Sequence, residues 1–83
     1  MSHARDVVEV VARALVDDPD AVRVTETPQR GMTVIELFVA PEDLGRIIGR
    51  QGRTATAFRT LVAATADHHG QQATLEIREP DEA

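Results

Sequence analysis

The spacing of apolar residues along the chain predicts three helices and three strands. In the helical segments apolar residues recur three and four positions apart, which places them on one face of a helix. In the strand segments apolar and polar residues alternate, so that every second side chain faces the same side. The predicted order is helix, strand, strand, helix, helix, strand, with helices over residues 5–16, 41–48 and 53–69 and strands over residues 22–24, 32–39 and 73–78.

The breaks between these segments coincide with residues that favour turns. The run Asp17-Asp18-Pro19-Asp20 ends the first helix, because Pro cannot continue a helix and disfavours the helical conformation of the residue before it. The run Pro28-Gln29-Arg30-Gly31 predicts a turn between the first two strands. His68 and His69, followed by Gly70, predict a C-terminal cap on the last helix.

These elements predict an α+β fold in which three helices cover one face of a three-stranded sheet. The strand over residues 32–39 is expected to be central, with Ile35 and Leu37 on its buried face. The last helix is expected to bury a stripe of four residues: Phe58, Leu61, Val62 and Thr65. Residues 1–79 are expected to form one domain, and residues 80–83 a disordered acidic tail that packs against nothing.

The strand over residues 32–39 also carries apolar residues on its second face, notably Val34 and Phe38. A small domain with apolar residues on both faces of one strand has surface that a partner could cover. We therefore expect the protein to form a dimer, either with itself or with a related protein.

Charge and composition narrow the class of partner. The 83-residue chain has a net charge of −5, which argues at first against a polyanionic partner such as nucleic acid. Residues 41–60 are the exception, since their four Arg outnumber Glu42 and Asp43, and any anion site is expected there. The absence of Cys excludes disulfides and thiolate metal sites, and no apolar run is long enough for a signal sequence or a membrane span. We therefore expect a cytoplasmic protein.

The positive stretch contains the most informative motif, Gly49-Arg50-Gln51-Gly52, between two predicted helices. Two glycines three apart allow a tight turn and leave no side chain where another backbone must come close. The helix that follows directs its unpaired N–H groups and its dipole toward the same place. Arg50 and Arg53 add full positive charge, so the motif predicts a site for a phosphodiester.

The run I-I-G-R-Q-G-R, which follows a strand and joins two short helices, resembles the I-G-x-x-G signature of KH domains. The predicted element order is that of the type II, bacterial KH arrangement. The run from Gly45 to Val62 is similar, nearly residue by residue, to the small KhpA-like RNA-binding proteins of bacteria. KH domains clamp about four nucleotides with this loop.

The resemblance implies a set of RNA-binding residues. The loop residues would contact the RNA backbone, two arginines would flank the loop, and the bases would lie in a groove near Ile48 and the stretch from Thr74 to Ile77. The implied site residues are Arg46, Ile48, Gly49, Arg50, Gln51, Gly52 and Arg53. No cofactor is implied.

The resemblance also implies a function. The protein would bind single-stranded RNA and act as an RNA chaperone or post-transcriptional regulator. Its partner would be a KhpB-type (Jag-type) KH protein, and it would influence cell division, cell shape or envelope synthesis. Few basic groups and no aromatic residue for base stacking indicate low affinity and broad sequence tolerance. The alternative is an interaction module whose KH fold serves to dimerise or to dock, with RNA contact secondary.

The glycine motif is also compatible with other structures and functions. A plain turn between helices with exposed Arg stays open, although two glycines are more than such a turn needs. A nucleotide P-loop is excluded, because Ile47 stands where its first glycine is required and Lys is absent. The adjacent pair Ile47 and Ile48 could both belong to the core, but so short a helix more easily buries one and leaves the other to line the groove.

The remaining candidate sites carry no predicted chemistry. His68 and His69 are adjacent, so they point in different directions on a helix, and no third His, Cys or carboxylate cluster completes a metal site. The acidic run at residues 17–20 is better explained as a helix stop than as a cation site. Ser2 is the only Ser and lies near the terminus, so nucleophilic catalysis has no candidate residue and the protein is not expected to be an enzyme.

Overall fold

The computed structural model describes residues 2–79 and contains the six elements in the predicted order. Short 3-10 turns precede β1 and α2 and join α2 to α3. The bounds are α1 His3–Leu15, β1 Arg23–Gln29, β2 Met32–Phe38, α2 Leu44–Ile48, α3 Arg53–His68 and β3 Ala73–Arg78. The predicted tail, residues 80–83, lies outside the described residues.

The ends of the two long helices are capped by local hydrogen bonds. The Ser2 hydroxyl accepts the N–H of Arg5 at 3.1 Å and caps the first turn of α1. At the C-terminal end of α3 Gly70 adopts a φ of +70°, and its N–H donates to the carbonyl of Asp67. The N–H of Gln71 donates to the carbonyl of Ala66, which completes a Schellman motif and confirms the predicted cap.

The sheet has the order β1-β2-β3, so the strand predicted to be central is central. β1 and β2 pair antiparallel, and β2 and β3 pair parallel. β1 is longer than predicted, because it continues through Pro28 and only Arg30 and Gly31 form the turn. An edge strand tolerates Pro, since its missing N–H can face away from the partner strand. Both turn residues have positive φ, as a two-residue hairpin requires.

All three helices pack on one face of the sheet, as predicted. The core lies between β2 and the long helices, and its fully buried side chains include Ile35 and Leu37. In α3 the buried stripe is Ala55, Phe58, Val62 and Ala66. The prediction for Leu61 was wrong, since 41% of its surface is exposed. Small alanines let α3 approach both α1 and the sheet, and this rotates Leu61 toward the rim.

The second face of the sheet is polar and open. Phe38 lies on this face but is covered, because the guanidinium of Arg23 sits 5.1 Å from the centre of its ring. Glu36 accepts a hydrogen bond from the Thr25 hydroxyl and forms a 3.0 Å ion pair with Arg78. The apolar surface expected around Phe38 is therefore masked, and the argument for a dimer from this face is weakened.

The three histidines of the chain form one cluster. The rings of His3 and His69 stack with centres 4.1 Å apart, and His68 meets His69 edge-on. Burial, followed by the nearby charges of His3 and His68, lowers the pKa of His69. His3, which is distant in sequence, is brought to the pair by helix packing, where it stacks rather than completing a metal site. Within residues 2–79, no three His, Cys, Asp or Glu side chains are grouped so that they could hold a metal ion.

Asp43 is the one charged residue whose side chain is fully buried between residues 2 and 79. Its two carboxylate oxygens accept the backbone N–H groups of Asp17 and Asp18, each at 3.1 Å. These bonds join the connection after α1 to the beginning of α2.

None of the helices among residues 2–79 is long and apolar enough to span a bilayer.

We expect Asp43→Ala to lower the free energy of unfolding by about 1 to 3 kcal/mol, because two partly buried N–H groups lose their acceptors. Urea denaturation followed by circular dichroism measures this change. The matched control is Asp20→Ala, an exposed residue of the same connection, which should change stability by no more than about 0.5 kcal/mol. Equal effects of the two substitutions would show that Asp43 is not an anchor.

Candidate nucleic-acid interface

The candidate site is the four-residue connection between α2 and α3. The N–H of Gly49 donates to the carbonyl of Gly45 at 2.9 Å and closes α2. The N–H of Gly52 then donates to the carbonyl of Gly49 at 3.1 Å, and α3 begins at the next residue. The chain therefore turns from one helix into the other with almost no intervening extended backbone.

Gly49 is required here for two independent reasons. Its φ of +75° and ψ of 174° fall in a region that is accessible essentially to glycine alone. A Cβ atom at this position would lie 2.2 Å from Oγ1 of Thr54 and 2.9 Å from the Thr54 backbone nitrogen. Packing of the first turn of α3 against Gly49 thus depends on the absence of a side chain.

Gly52 and Gln51 both have left-handed backbone conformations, but no close contact requires a glycine at Gly52. Gly52 has φ +73° and ψ 13°, and a Cβ atom there would meet nothing within 4 Å. Gln51 has φ +57°, which is uncommon for a residue other than glycine. Its side-chain oxygen accepts a hydrogen bond from Arg53 at 3.1 Å. The surface at Gly52 is consequently open to a ligand, whereas that at Gly49 is filled by Thr54.

Two arginines supply unneutralised charge at this turn. Arg50 is exposed and forms no ion pair or side-chain hydrogen bond with any residue between 2 and 79. Arg53 bonds only the neutral side chain of Gln51 in the same part of the chain. Arg53 is the first residue of α3, a 16-residue helix whose N-terminal N–H groups favour an anion, and Arg50 lies in the 3-10 turn just before it. The turn therefore combines two arginines that have no acidic partner among residues 2–79 with the N-terminal end of a long helix.

Arg46 differs from these two arginines, although the family resemblance implies the same role for it. Its Nη2 lies 2.9 Å from a carboxylate oxygen of Asp17, and its Nε lies 3.8 Å from Asp43. Asp17 is far from Arg46 in sequence, so the charge count over residues 41–60 could not include it. The structure brings Arg46 to the same end of the molecule but gives it acidic partners.

The two isoleucines of α2 divide as the shortness of the helix suggested. Ile47 is fully buried in the core, and Ile48 leaves 38% of its surface exposed. In β3, Leu75 and Ile77 face the helices, whereas the residues between and before them face the open side of the sheet. Leu75 is buried in the core and Ile77 is half-buried, so the side of β3 that faces the helices is apolar.

Two helices joined by the G-x-x-G loop and packed on a three-stranded mixed sheet, in this order of elements, define a type II KH domain. Two solved structures of Era show the same fold. One is a variant of Aquifex aeolicus Era bound to GDP.AlF4- (TM-score 0.59), and the other is Era in complex with MgGDPNP and nucleotides 1506–1542 of 16S ribosomal RNA (TM-score 0.62). Each is 24% identical to this chain and matches 92% of it, while the chain spans only 29% of either Era chain. The likeness concerns the fold alone.

The particular family follows from sequence similarity. Residues 5–77 match the family model described as KhpA/KhpB, KH domain, so the chain belongs to that family. The RNA-binding protein KhpA of Aquifex aeolicus is 48% identical over 79 residues, covering 95% of this chain and 100% of its own length. That of Caldanaerobacter subterraneus is 50% identical over 87% of this chain and 96% of its own length. That of Mycobacterium tuberculosis is 61% identical over 70% of this chain and 72% of its own length.

Alanine at Gly49 should destabilise the protein by about 3 kcal/mol or more, because backbone strain adds to the clash with Thr54. Gly52→Ala, with open space around its Cβ, should cost only about 1 to 2 kcal/mol for the left-handed conformation. Chemical denaturation of both variants measures the difference. Similar losses would mean that Thr54 does not require a glycine opposite it.

Proposed function

We propose that this chain binds single-stranded RNA through the loop Gly49-Arg50-Gln51-Gly52. The observation that carries the proposal is that two arginines without an acidic partner among residues 2–79, Arg50 in the loop and Arg53 at the beginning of α3, lie beside the open surface of Gly52. A family model named for KhpA and KhpB, and relatives named as RNA-binding proteins, support the same function.

The loop would bind the RNA backbone rather than read its sequence. The exposed surface at Gly52 lets a phosphodiester approach the main chain, and the N–H groups of α3 stabilise its negative charge. Arg50 and Arg53 then contribute charge from either side. Ile48 offers the adjoining apolar contact for a base, since over a third of its surface is exposed.

Affinity is expected to be low and tolerant of sequence. Base stacking on aromatic side chains strengthens many RNA contacts. Both phenylalanines of this chain, Phe38 and Phe58, leave only 3% of their surface exposed, so neither ring presents a face on which a base could stack. Binding therefore depends on phosphate contacts, which weaken as salt rises.

In the cell, we propose that the protein acts in the cytoplasm as an RNA chaperone or post-transcriptional regulator. A larger KhpB-type (Jag-type) KH protein would be its partner, and cell division or envelope synthesis the process affected. The shared family model of KhpA and KhpB supports a related pair of proteins. The proposed activity is binding without a chemical step and needs no cofactor.

Replacing Arg50 and Gln51 together by Asp should abolish binding of a labelled single-stranded RNA, because one cation is lost and two anions appear beside the phosphate. The loop is exposed, so stability should change by no more than about 0.5 kcal/mol. The milder Arg50→Ala should reduce the slope of log affinity against log salt by roughly 0.7. Fluorescence anisotropy at several salt concentrations measures both quantities.

The hairpin turn supplies a matched control. Gln29, the exposed last residue of β1, and Arg30, in the turn, are the same two residue types, and replacing both by Asp makes the same change in net charge. This control should weaken RNA binding only slightly. If both double variants stay folded and lose affinity equally, the glycine loop is not the binding site.

A second candidate function, docking or dimerisation with RNA contact secondary, is favoured by one observation. Val10, Leu15 and Leu61 leave 69%, 39% and 41% of their surfaces exposed, on α1 and α3. Leu15 and Leu61 also line a shallow, almost wholly apolar groove between the two helices. Pairing over this surface would link two weak RNA sites and raise their combined affinity.

Leu61→Asp should shift a dimer to a monomer without unfolding it, since the residue is at the rim of the core. Sedimentation equilibrium gives the mass, and Thr60→Asp, an exposed neighbour on the same helix, is the matched control. A wild-type protein that stays monomeric at high concentration, with no partner recovered from cells, would exclude this role. RNA binding that persists at low salt would then leave the first function in place.

A further inference from the structure

Arg46, Asp17 and Asp43 form an ion-pair cluster between α2 and the connection after α1. The cluster lies next to the glycine loop, and what we infer from it rests on the proposed RNA binding. Arg46 follows Asp43 by three residues and belongs to the helix that leads into the glycine loop. Its guanidinium contacts the carboxylate of Asp17 through Nη2 at 2.9 Å. The carboxylate of Asp43 lies 3.8 Å from its Nε. One cation therefore faces two anions.

The position of Asp17 is set by the fold rather than by the exposed ion pair itself. Its backbone N–H donates to Oδ1 of Asp43, the same oxygen that lies near Arg46. Because Asp43 is fully buried and also binds the next N–H, that of Asp18, the connection cannot easily move away. The hydrogen bond from the Asp17 backbone N–H to Asp43 thus keeps the Asp17 side chain beside Arg46.

Arg46 is nevertheless accessible to a ligand. The side chain leaves 55% of its surface exposed, and that of Asp17 leaves 73% exposed. A guanidinium has five N–H donors, and the contacts with Asp17 and Asp43 involve only two of its nitrogens. A phosphate that approached Arg46 would meet a cluster with one net negative charge, so it must displace Asp17 before it gains from the arginine.

We propose that Asp17 determines the RNA affinity of this protein by competing with the RNA phosphate for Arg46. Arg50 and Arg53 have no such competitor among residues 2–79 and bind phosphate directly. Arg46 is a latent third cation at the same end of the molecule, neutralised by a carboxylate from a distant part of the chain. Removal of that one charge should extend the phosphate-binding surface by one residue.

The test is a double-mutant cycle in RNA affinity. Asp17→Asn removes the charge with little change in shape and should tighten binding of a labelled single-stranded RNA about two- to fivefold at low salt. The slope of log affinity against log salt should steepen by up to roughly 0.7, as for one further phosphate contact. With Arg46→Gln as background, the gain should fall to that of the control.

Asp20→Asn is the matched control, because it removes the same charge from an exposed residue of the same connection that contacts no arginine between residues 2 and 79. Circular dichroism establishes that every variant is folded. A gain for Asp17→Asn that exceeds the control only when Arg46 is present supports the inference. Equal gains for the two variants, or weaker binding by Asp17→Asn, would overturn it while leaving the glycine loop as the RNA site. Absence of binding by wild type and Asp17→Asn alike would overturn the proposed function and this inference together.

Discussion

The close approach of Thr54 to the backbone of Gly49 is the constraint on which the arrangement of the central helices depends. A side chain at Gly49 would occupy the space taken by the Thr54 hydroxyl, so α3 could not begin where it does. With α3 displaced, Phe58 and Val62 would no longer lie opposite β2 and the core would open. A contact between a glycine and one threonine therefore sets both the packing of the domain and the shape of its exposed loop.

α2 shows why a second attachment is needed. A helix of five residues is too short to be stable by itself in water, because the nucleus costs more than so few hydrogen bonds return. The glycine turn holds one end, and the buried Asp43 holds the other through the backbone of Asp17 and Asp18. Ile47 fixes the rotation of the helix by filling the core. The same restraints that stabilise α2 bring an acidic side chain beside Arg46.

The order of elements, the central strand and the glycine turn could be predicted from the sequence, because each depends on periodicity or on local backbone chemistry. The orientation of α3 could not. The spacing of apolar residues shows which of them share a face of the helix. Whether Leu61 or Ala66 is buried depends on how closely α1 packs against α3. The pairing of Arg46 with Asp17 and the stacking of His3 on His69 were also missed, since each joins residues that are distant in sequence and are brought together only by packing.

The parallel pairing of β2 with β3 has a consequence for how the domain is made. Thr33 pairs with Ala73, forty positions further along the chain, whereas the other ladder of the sheet, between β1 and β2, is a local hairpin. During synthesis the first hairpin and the glycine turn leave the ribosome before the strand that completes the sheet. Pairing of such distant strands loses loop-closure entropy before their hydrogen bonds and packing contribute any stability. Folding is therefore slower than it would be for local helices alone. We expect the nascent chain to bury the core, and to hold the glycine turn rigidly, only once residues 73–78 have emerged.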